Sequence, residues 1–593
     1  MTLNVPPDEE LGFHGTPFTP PPTWPVTTRG PVGAAAAPPV PAALTAVAQA
    51  VQRAHAATLT AHQRYLALLR QTPAPALRWL TGPDPTGGAQ GRGRADAVLH
   101  LAGPDPLPAV RAFLAEYATR LDLTQYLPAP SLHGCDDPDH TVELFEPLLP
   151  GRPLTAVAEL RRLTLTPRPR LVADVTLLAG DRAVGRVLGA GVRVVEGPGS
   201  HLAATEPPPG RPVPARRCAD GRPARANEFH MALLAEGDIT EALGTPGLAL
   251  ARVRTRLPRG DMLMLHRSPD PARPYGDYPV GTAMTTEYDV PLDPWYVRDN
   301  GHAAFPLLAL LEIALQGAAF VGIAHGMILE HPDQDWMVRN LKGSLTLRYL
   351  PELCGRTVTQ RSTLLSHAAL PEAKIQRYAF ELSTDGEVFC SGETAYGCYP
   401  ADAMTEPNPP PGPDTVPPWL HLPNAPVSTL RLPGRTESRL GRGRLALLDE
   451  IELVHRGGEH GLGYALSTAE IDPEAWYFEQ HFFNDPVTPG SLGIEMLHQA
   501  LRAYTLHSGL VDDMPEPRLT VGTGHAFSWG YRGQILSRHR TVHAEVHLTA
   551  VTLDGDALTV RADGTLWRDG LRVYRAAGLS VVARPGTAPR STP

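Results

Sequence analysis

Cysteine is scarce in this chain of 593 residues. The five cysteines are odd in number and scattered along the sequence, at Cys135, Cys218, Cys354, Cys390 and Cys398. A disulfide-stabilised secreted domain would carry more cysteines, in an even number and at shorter spacings. The cysteine content therefore favours a reducing compartment, and we expect a cytoplasmic protein.

Basic and membrane-spanning segments are also lacking. The net charge is −9 and the pI is near 6.2, and no stripe of lysine and arginine with interleaved aromatics occurs, so we expect no nucleic-acid partner. The longest apolar run, residues 305–327, is interrupted by Glu312, Gln316 and His325. The N-terminus has no basic start followed by an apolar core. We therefore expect neither membrane insertion nor a secretory signal.

Signatures of nucleotide and metal binding are missing too. No glycine-rich phosphate loop or dinucleotide fingerprint is present. Cys135 and His140 enclose three aspartates, which raises the alternative of a metal site. A second pair of ligands at a convincing spacing is absent, so a polar loop is the prediction. We expect neither a cofactor nor a metal.

Proline-rich segments divide the chain into regions, which is expected because 593 residues are too many for one hydrophobic core. These segments predict a disordered leader, two linkers and a tail, at residues 1–40, 201–226, 401–430 and 585–593. Apolar residues at helical spacing predict a helix within residues 41–75. Three larger regions remain, at residues 95–200, 227–400 and 431–584.

The two C-terminal regions, here called the first block and the second block, repeat each other. Glu312 and Gln316 of the first block recur as Glu495 and Gln499 in the second, each pair on an apolar stretch. Residues four apart share one face of a helix. Later segments alternate polar and apolar residues, as at 542–549, which is typical of a half-buried strand. A helix followed by antiparallel strands predicts an α+β fold.

The most distinctive stretch runs from His481 to Glu495, with the sequence HFFNDPVTPGSLGIE. Gly490 and Ser491 are predicted to begin a helix, because Pro489 cannot lie in a helix interior. A helix N-terminus offers unpaired N–H groups to a polarised oxygen. A histidine beside such donors is suited to taking a proton next to a thioester carbonyl.

This stretch resembles the active-site motif of 3-hydroxyacyl-ACP dehydratases of the hot-dog fold, in which a curled sheet wraps a central helix. Over residues 227–584 the order of the blocks resembles the tandem dehydratase region of bacterial polyunsaturated-fatty-acid synthases and related polyketide-like lipid synthases. The resemblance implies a double hot-dog fold. A weaker similarity within residues 95–200 leaves two alternatives there, a degenerate third hot-dog unit or an unrelated docking domain.

The resemblance also implies which residues form the site. Such dehydratases build the active site between two units, with the histidine from one and the acid from the other. His481 would be the general base, Gly490 would hold the thioester oxygen through its N–H, and Glu312 would be the acid. Glu495 would face a second site without a catalytic histidine, because His302 stands four residues before the shared proline and His481 stands eight before it.

The implied activity is that of a hydro-lyase that converts 3-hydroxyacyl-ACP to 2-enoyl-ACP in fatty-acid, polyunsaturated-lipid or polyketide-type biosynthesis. The substrate would arrive on the phosphopantetheine of an acyl carrier protein. The sequence contains no recognisable ketosynthase, acyltransferase or carrier motif, so the expected partners are other synthase subunits. A homodimer, an additional trans-2 to cis-3 isomerase activity, and a non-catalytic acyl-binding scaffold remain open alternatives. Hot-dog thioesterases lack the run around Gly490, which argues against that activity.

Overall fold

The computed structural model describes residues 95–121, 123–124, 130–166, 168–196, 217–237, 239–242, 256–270, 279–302, 304–327, 336–370, 373–404, 416–423 and 430–586. The predicted leader and the predicted helix at 41–75 lie outside these ranges. So do most of the first predicted linker and parts of the second linker and the tail.

The N-terminal unit is an antiparallel sheet packed on one helix. Its elements are β1 (Ala95–His100), α1 (Leu107–Arg120), β2 (Ser131–Gly134), β3 (Thr141–Leu144), β4 (Pro153–Thr164), β5 (Arg170–Ala179) and β6 (Arg182–Val195). The strand order is β1-β4-β5-β6-β2, and β3 also pairs with β6. Val110, Leu114 and Ala118 lie on one face of α1 and are fully buried in the core of this unit.

The first block has a longer helix and longer strands. It begins with α2 (Glu228–Glu236), α3 (Ile239–Ala242) and a 3-10 turn at Gly260–Met262. It continues with β7 (Ala283–Asp289), α4 (Trp295–Arg298), α5 (Leu307–Ala324), β8 (Trp336–Leu347), β9 (Thr357–Leu370), β10 (Ala373–Thr384) and β11 (Glu387–Pro400). The strand order is β7-β9-β10-β11-β8, with α5 against the concave face.

The second block repeats these elements. They are β12 (Leu430–Pro433), a 3-10 turn at Gly443–Leu445, β13 (Glu450–His455), β14 (Gly463–Glu470), α6 (Trp476–Gln480), α7 (Gly490–His507), β15 (Arg518–Val521), β16 (Ala526–Tyr531), β17 (Thr541–Asp554), β18 (Ala557–Arg568) and β19 (Leu571–Arg584). The strand order is β12-β13-β14-β17-β18-β19-β16, and β15 pairs with β19.

All three units share one topology. In each, a strand leads into a helix, then into a second strand, and then into three long antiparallel strands. Apart from β3 and the additional strands β12, β13 and β15, the pairing is the same in each unit. The strand before the helix pairs with the first of the three long strands, and the strand after the helix pairs with the last of them. The predicted α+β class and the double hot-dog fold are confirmed. The N-terminal unit has the same connections, which is the topology expected of a third, degenerate hot-dog.

The two blocks form one continuous sheet. Strand β16 of the second block pairs antiparallel with β8 of the first, and Ser528 lies opposite Ser344. The resulting sheet has thirteen strands and encloses α5 and α7, which pack against each other. Each central helix therefore presents residues to the other block, which allows one site to draw on both.

Helix α5 is the most apolar helix of the described part of the chain. Its 18 residues have a mean hydropathy of 2.0, so by length and composition it passes as a membrane span in spite of Glu312 and Gln316. Those two residues were expected to set it apart from a span, and that expectation was wrong. Its burial sets it apart instead, because 94% of the helix is buried inside the protein.

Strand β17 corrects a second expectation. Its polar residues were predicted to face solvent, but Glu545 and His547 are 5% and 6% exposed. Trp419 covers them, and its backbone N–H donates to Glu545 Oε2 at 2.8 Å. The Tyr464 hydroxyl donates to the same oxygen at 2.8 Å. Residues 416–423, inside the second predicted linker, thus pack on the outer face of the sheet instead of only joining the blocks.

Candidate active site

Two glutamines fix the central helices to the loops that precede them. Gln316 Nε2 donates to the Met262 carbonyl at 2.8 Å, and the Met264 N–H donates to Gln316 Oε1 at 2.8 Å. At the equivalent place in the second block, Gln499 Nε2 donates to the Leu445 carbonyl at 3.0 Å. The repeated glutamines are therefore structural in both blocks, and they hold the neighbouring glutamates in place.

Glu312 is a buried carboxyl on α5, only 4% exposed. The Ser491 hydroxyl, from the second block, donates to its Oε1, and Gln316 Nε2 donates to its Oε2 at 2.8 Å. Burial raises the pKa of Glu312, although both hydrogen bonds oppose the shift. The protonated form is thereby favoured relative to an exposed carboxyl, which suits a proton donor.

His481 directly follows α6 and is 9% exposed. Its Nδ1 lies 2.8 Å from the Val487 carbonyl oxygen, which can only accept a hydrogen bond. Nδ1 therefore carries the proton, and Nε2 keeps its lone pair in the neutral ring. Burial lowers the pKa of His481 to about 4. The ring is consequently neutral near pH 7 and can act as a base through Nε2.

Gly490 is the first residue of α7, directly after Pro489. Its N–H has no acceptor inside the helix, since the first turn of any helix leaves such groups unpaired. A Cβ atom at Gly490 would lie 2.6 Å from Cζ of Tyr531, so only glycine fits here. The helix dipole adds positive potential at this end. The N–H is thus available to a developing negative charge.

These side chains line one cavity between the blocks. Its volume is about 120 Å³, and its polar lining includes Glu312, His481, Gly490, Ser491 and Tyr531. Most of the remaining wall is apolar, with Leu257, Leu315, Ala319, Ile323, Met327 and Val338. The structure thus brings together the predicted base of the second block and the predicted acid of the first. Glu495 is not part of this lining.

Glu495 lies at the repeat-equivalent position in α7 and is fully buried. Arg502 donates to its Oε1 and also donates to Asn300 Oδ1 at 2.5 Å. Burial raises the pKa of Glu495, and the Arg502 charge opposes that shift. In the repeat, Arg502 stands where the first block has Ala319, which lines the cavity. In the first block the small Ala319 leaves room for the cavity beside Glu312. In the second block the Arg502 side chain stands at the equivalent position and pairs with Glu495.

His302, the histidine of the first block, lies near this ion pair. Burial, together with the charge of Arg502, lowers the pKa of His302 to about 4. It is not among the residues that line the cavity with Glu312.

Arg339 is a site residue that the sequence did not reveal. Its guanidinium donates to both oxygens of Asp485, at 2.5 and 2.9 Å, and to Gln534 Oε1 at 2.8 Å. Asp485 belongs to the loop between His481 and α7 and is 3% exposed. Arg339 lies on β8 of the first block, so this ion pair anchors the histidine loop across the block boundary. The motif marks Asp485, but no local signal marks an arginine 146 residues away.

The loop from Cys135 to His140 is held by arginines. Asp137 is 4% exposed and accepts a hydrogen bond from Arg170 at 2.8 Å. Arg161 and Arg162 each approach its Oδ2 at 3.6 Å. Within the described ranges, no three histidine, cysteine or acidic side chains are grouped so that they could hold a metal.

Comparison with known proteins agrees with the motif. The family model of the FabA-like domain matches residues 440–577, within the second block. One of the subunits of the polyunsaturated fatty acid synthase of Thraustochytrium sp. is 28% identical over 386 residues, which are 60% of this chain and 26% of that protein. The chain thus spans about a quarter of the length of that relative. Both matches confirm the resemblance predicted from the sequence.

Several solved structures are similar to parts of this chain, at low identity and low TM-score. The bifunctional dehydratase-cyclase domain of ambruticin biosynthesis is 17% identical with a TM-score of 0.31, covering 55% of this chain and 96% of that one. A MaoC-like dehydratase is 10% identical with a TM-score of 0.29, covering 52% and 98%. A putative oleoyl thioesterase from Lactobacillus plantarum is 12% identical with a TM-score of 0.30, covering 52% and 97%. These likenesses assign no activity to this chain.

Proposed function

We propose that this chain is a hydro-lyase that removes water from 3-hydroxyacyl thioesters to give 2-enoyl thioesters. One observation carries the proposal: His481 of the second block and Glu312 of the first line the same cavity, beside the N-terminus of α7. The match of the second block to the FabA-like domain supports it.

Proton removal is the task of the second block. The Nε2 lone pair of His481 takes a proton from C2 of the substrate, and the electron pair of that C–H bond moves toward the thioester carbonyl. The oxygen gains negative charge, and the N–H of Gly490 stabilises that charge with the help of the helix dipole. Positioned general bases of this kind contribute roughly 10²–10⁴-fold in rate.

Loss of water is the task of the first block. Protonated Glu312 gives its proton to the C3 hydroxyl, the C3–O bond breaks, the C2–C3 double bond forms, and water leaves. His481 ends protonated and Glu312 ends ionised, so proton exchange with solvent restores both groups. The Ser491 hydroxyl donates to Glu312 Oε1 and is in place to stabilise the carboxylate when it forms. This contact stabilises the ionised product state.

The apolar cavity wall suits an acyl chain, and we propose that the chain arrives on the phosphopantetheine of an acyl carrier protein. The similarity to a synthase subunit supports a role within a multi-subunit lipid or polyketide-type synthase. We place that synthase in the cytoplasm, in keeping with a cysteine content that is low and odd in number.

The test is to incubate the purified full chain with 3-hydroxyacyl pantetheine thioesters of several lengths and to follow the products by mass spectrometry. Loss of one water by the wild type, with no such loss by His481→Ala, is the expected result. Release of the free acid would instead indicate a thioesterase, and binding without any product would indicate a scaffold. NMR of the product separates trans-2 from cis-3 double bonds and so tests the isomerase alternative.

A further inference from the structure

Tyr531 places an unused hydroxyl in the cavity. It is the last residue of β16, and its Oη is buried without a hydrogen-bond partner among the described residues. Thr488 Oγ1 is the other buried side-chain atom of the cavity lining without such a partner, whereas several polar groups of the wall are satisfied. The Tyr396 hydroxyl donates to the Leu315 carbonyl at 2.6 Å, and both oxygens of Glu312 accept hydrogen bonds. A buried hydroxyl without a partner is unfavourable in the protein alone, so it indicates a ligand that supplies the partner.

The Tyr531 hydroxyl lies beside the first peptide of α7. A Cβ atom at Gly490 would lie 2.7 Å from Tyr531 Oη, so the hydroxyl and the Gly490 backbone are direct neighbours. The ring packs edge-on against Tyr574, with 4.6 Å between centroids. Strand β16 is itself paired with β8. The hydroxyl is thus held in place before any substrate binds.

We infer that Tyr531 is a catalytic residue that binds the thioester oxygen, its hydroxyl forming with the Gly490 N–H a two-donor oxyanion site. This inference rests on the proposed function. It explains why the hydroxyl has no protein acceptor and why glycine is needed at position 490. Burial raises the pKa of Tyr531 well above 10, and the nearby Tyr574, Glu312 and Tyr396 raise it further, so the group stays protonated as a donor.

Kinetics of Tyr531→Phe provide the first readout. The substitution removes only the hydroxyl, and losing one oxyanion donor lowers kcat by about 10²–10³-fold. We expect a fall in kcat of that order with little change in KM. Tyr504→Phe is the matched control, because that buried tyrosine lies in the same block but outside the cavity, and its kcat should stay within about twofold of wild type. Wild-type kcat in Tyr531→Phe would overturn the inference.

A second readout needs no turnover. A saturated acyl-pantetheine thioester labelled with ¹³C at the carbonyl has no 3-hydroxyl and cannot react. Hydrogen bonds to its oxygen lower the C=O stretching frequency in difference infrared spectra. The downshift on binding should be smaller in Tyr531→Phe than in wild type and unchanged in Tyr504→Phe. Equal downshifts in wild type and Tyr531→Phe would contradict the inference.

The two readouts separate the inference from the proposed function. If wild type forms enoyl product and His481→Ala does not, the proposed function stands. A Tyr531→Phe variant with normal kcat would then refute the oxyanion role alone. If wild type forms no product from any thioester, the proposed function fails, and the infrared shift still decides whether Tyr531 contacts the carbonyl. A wild type that forms no product from any 3-hydroxyacyl thioester and does not bind the saturated thioester would refute both.

Discussion

At the scale of single residues, burial sets the protonation states that the chemistry needs. The same low-polarity surroundings lower the pKa of His481 to about 4 and raise the pKa of Glu312. A base that is neutral and an acid that keeps its proton can therefore face one substrate. The hydrogen bond from Nδ1 of His481 to Val487 fixes which nitrogen is the base.

The pH dependence of kcat/KM should report these two groups. His481 must be neutral, so activity should fall as the pH drops through about 4. Glu312 must be protonated, so activity should fall as the pH rises through its pKa, which lies above 4.5. Glu312→Gln should remove the high-pH limb and leave the acid limb in place. A high-pH limb that persists unchanged in this variant would show that another group is the acid.

Buried histidines should also make folding stability sensitive to acid. Burial lowers the pKa of His498 to about 3, whereas the unfolded chain titrates near 6.5. The unfolded state therefore binds the extra proton first, and stability falls as the pH drops below 6.5. Between about pH 6.5 and pH 5, His498 alone should cost about 2 kcal/mol. Calorimetry of His498→Gln should show a shallower decline than wild type, and parallel declines would contradict this account.

At the scale of elements, the loop between α6 and α7 depends on an ion pair that joins the blocks. Arg339 and Asp485 are 13% and 3% exposed, and the pair is bidentate. Removing one partner of a buried pair typically costs about 3–5 kcal/mol. Arg339→Gln should therefore lower Tm, and it should lower kcat because His481 stands at the start of this loop.

A matched control lies on the same sheet. Arg377 on β10 pairs with Glu393 at 2.9 Å, but the two side chains are 53% and 51% exposed. An exposed pair of this kind is worth about 0–1 kcal/mol, so Arg377→Gln should leave Tm and kcat close to wild type. Similar Tm values for the two variants would show that the Arg339 pair does not anchor the loop.

What the sequence could predict at this scale was local. The helix that begins at Gly490 and the paired glutamates follow from spacing and from the proline before the helix, and the structure places them there. Arg339 was missed because its partner Asp485 is 146 residues away, and Tyr531 was missed because it meets Gly490 only in the folded chain. Arg502 was missed although Glu495 is seven residues away, because Ala319 at the equivalent place in the first block gives no sign of an ion pair. The contact of Trp419 with the polar face of β17 was also missed, because Trp419 is 126 residues from Glu545 in the sequence.

At the scale of the whole molecule, the two repeated blocks differ in the surroundings of their equivalent glutamates. Each block contributes a buried glutamate at the same place on its central helix, yet only Glu312 lines the cavity with His481. The other glutamate is paired with Arg502, which stands where the first block has Ala319. One open site and one filled site thus arise from one sequence repeat, and the open site needs both blocks.

The second block alone should therefore not form a working active site. A fragment of residues 428–593 keeps His481 but loses Glu312 and loses β8, the pairing partner of β16. An unpaired strand edge and an uncovered apolar helix face favour aggregation. We expect an insoluble or inactive fragment, as judged by size-exclusion chromatography and thioester turnover. Full activity from a strictly monomeric fragment would refute a site shared between blocks.

The most direct test of that shared site compares the two glutamates. Glu312→Gln keeps the size and polarity of the side chain but removes the proton donor, so turnover of a 3-hydroxyacyl thioester should fall by about two or more powers of ten. Glu495→Gln should cost far less turnover and act mainly on stability, because its carboxylate is bound to Arg502 outside the cavity. Kinetics of both variants with one substrate measure the difference. A severe loss in Glu495→Gln together with near-normal turnover in Glu312→Gln would place the site within one block and contradict the account.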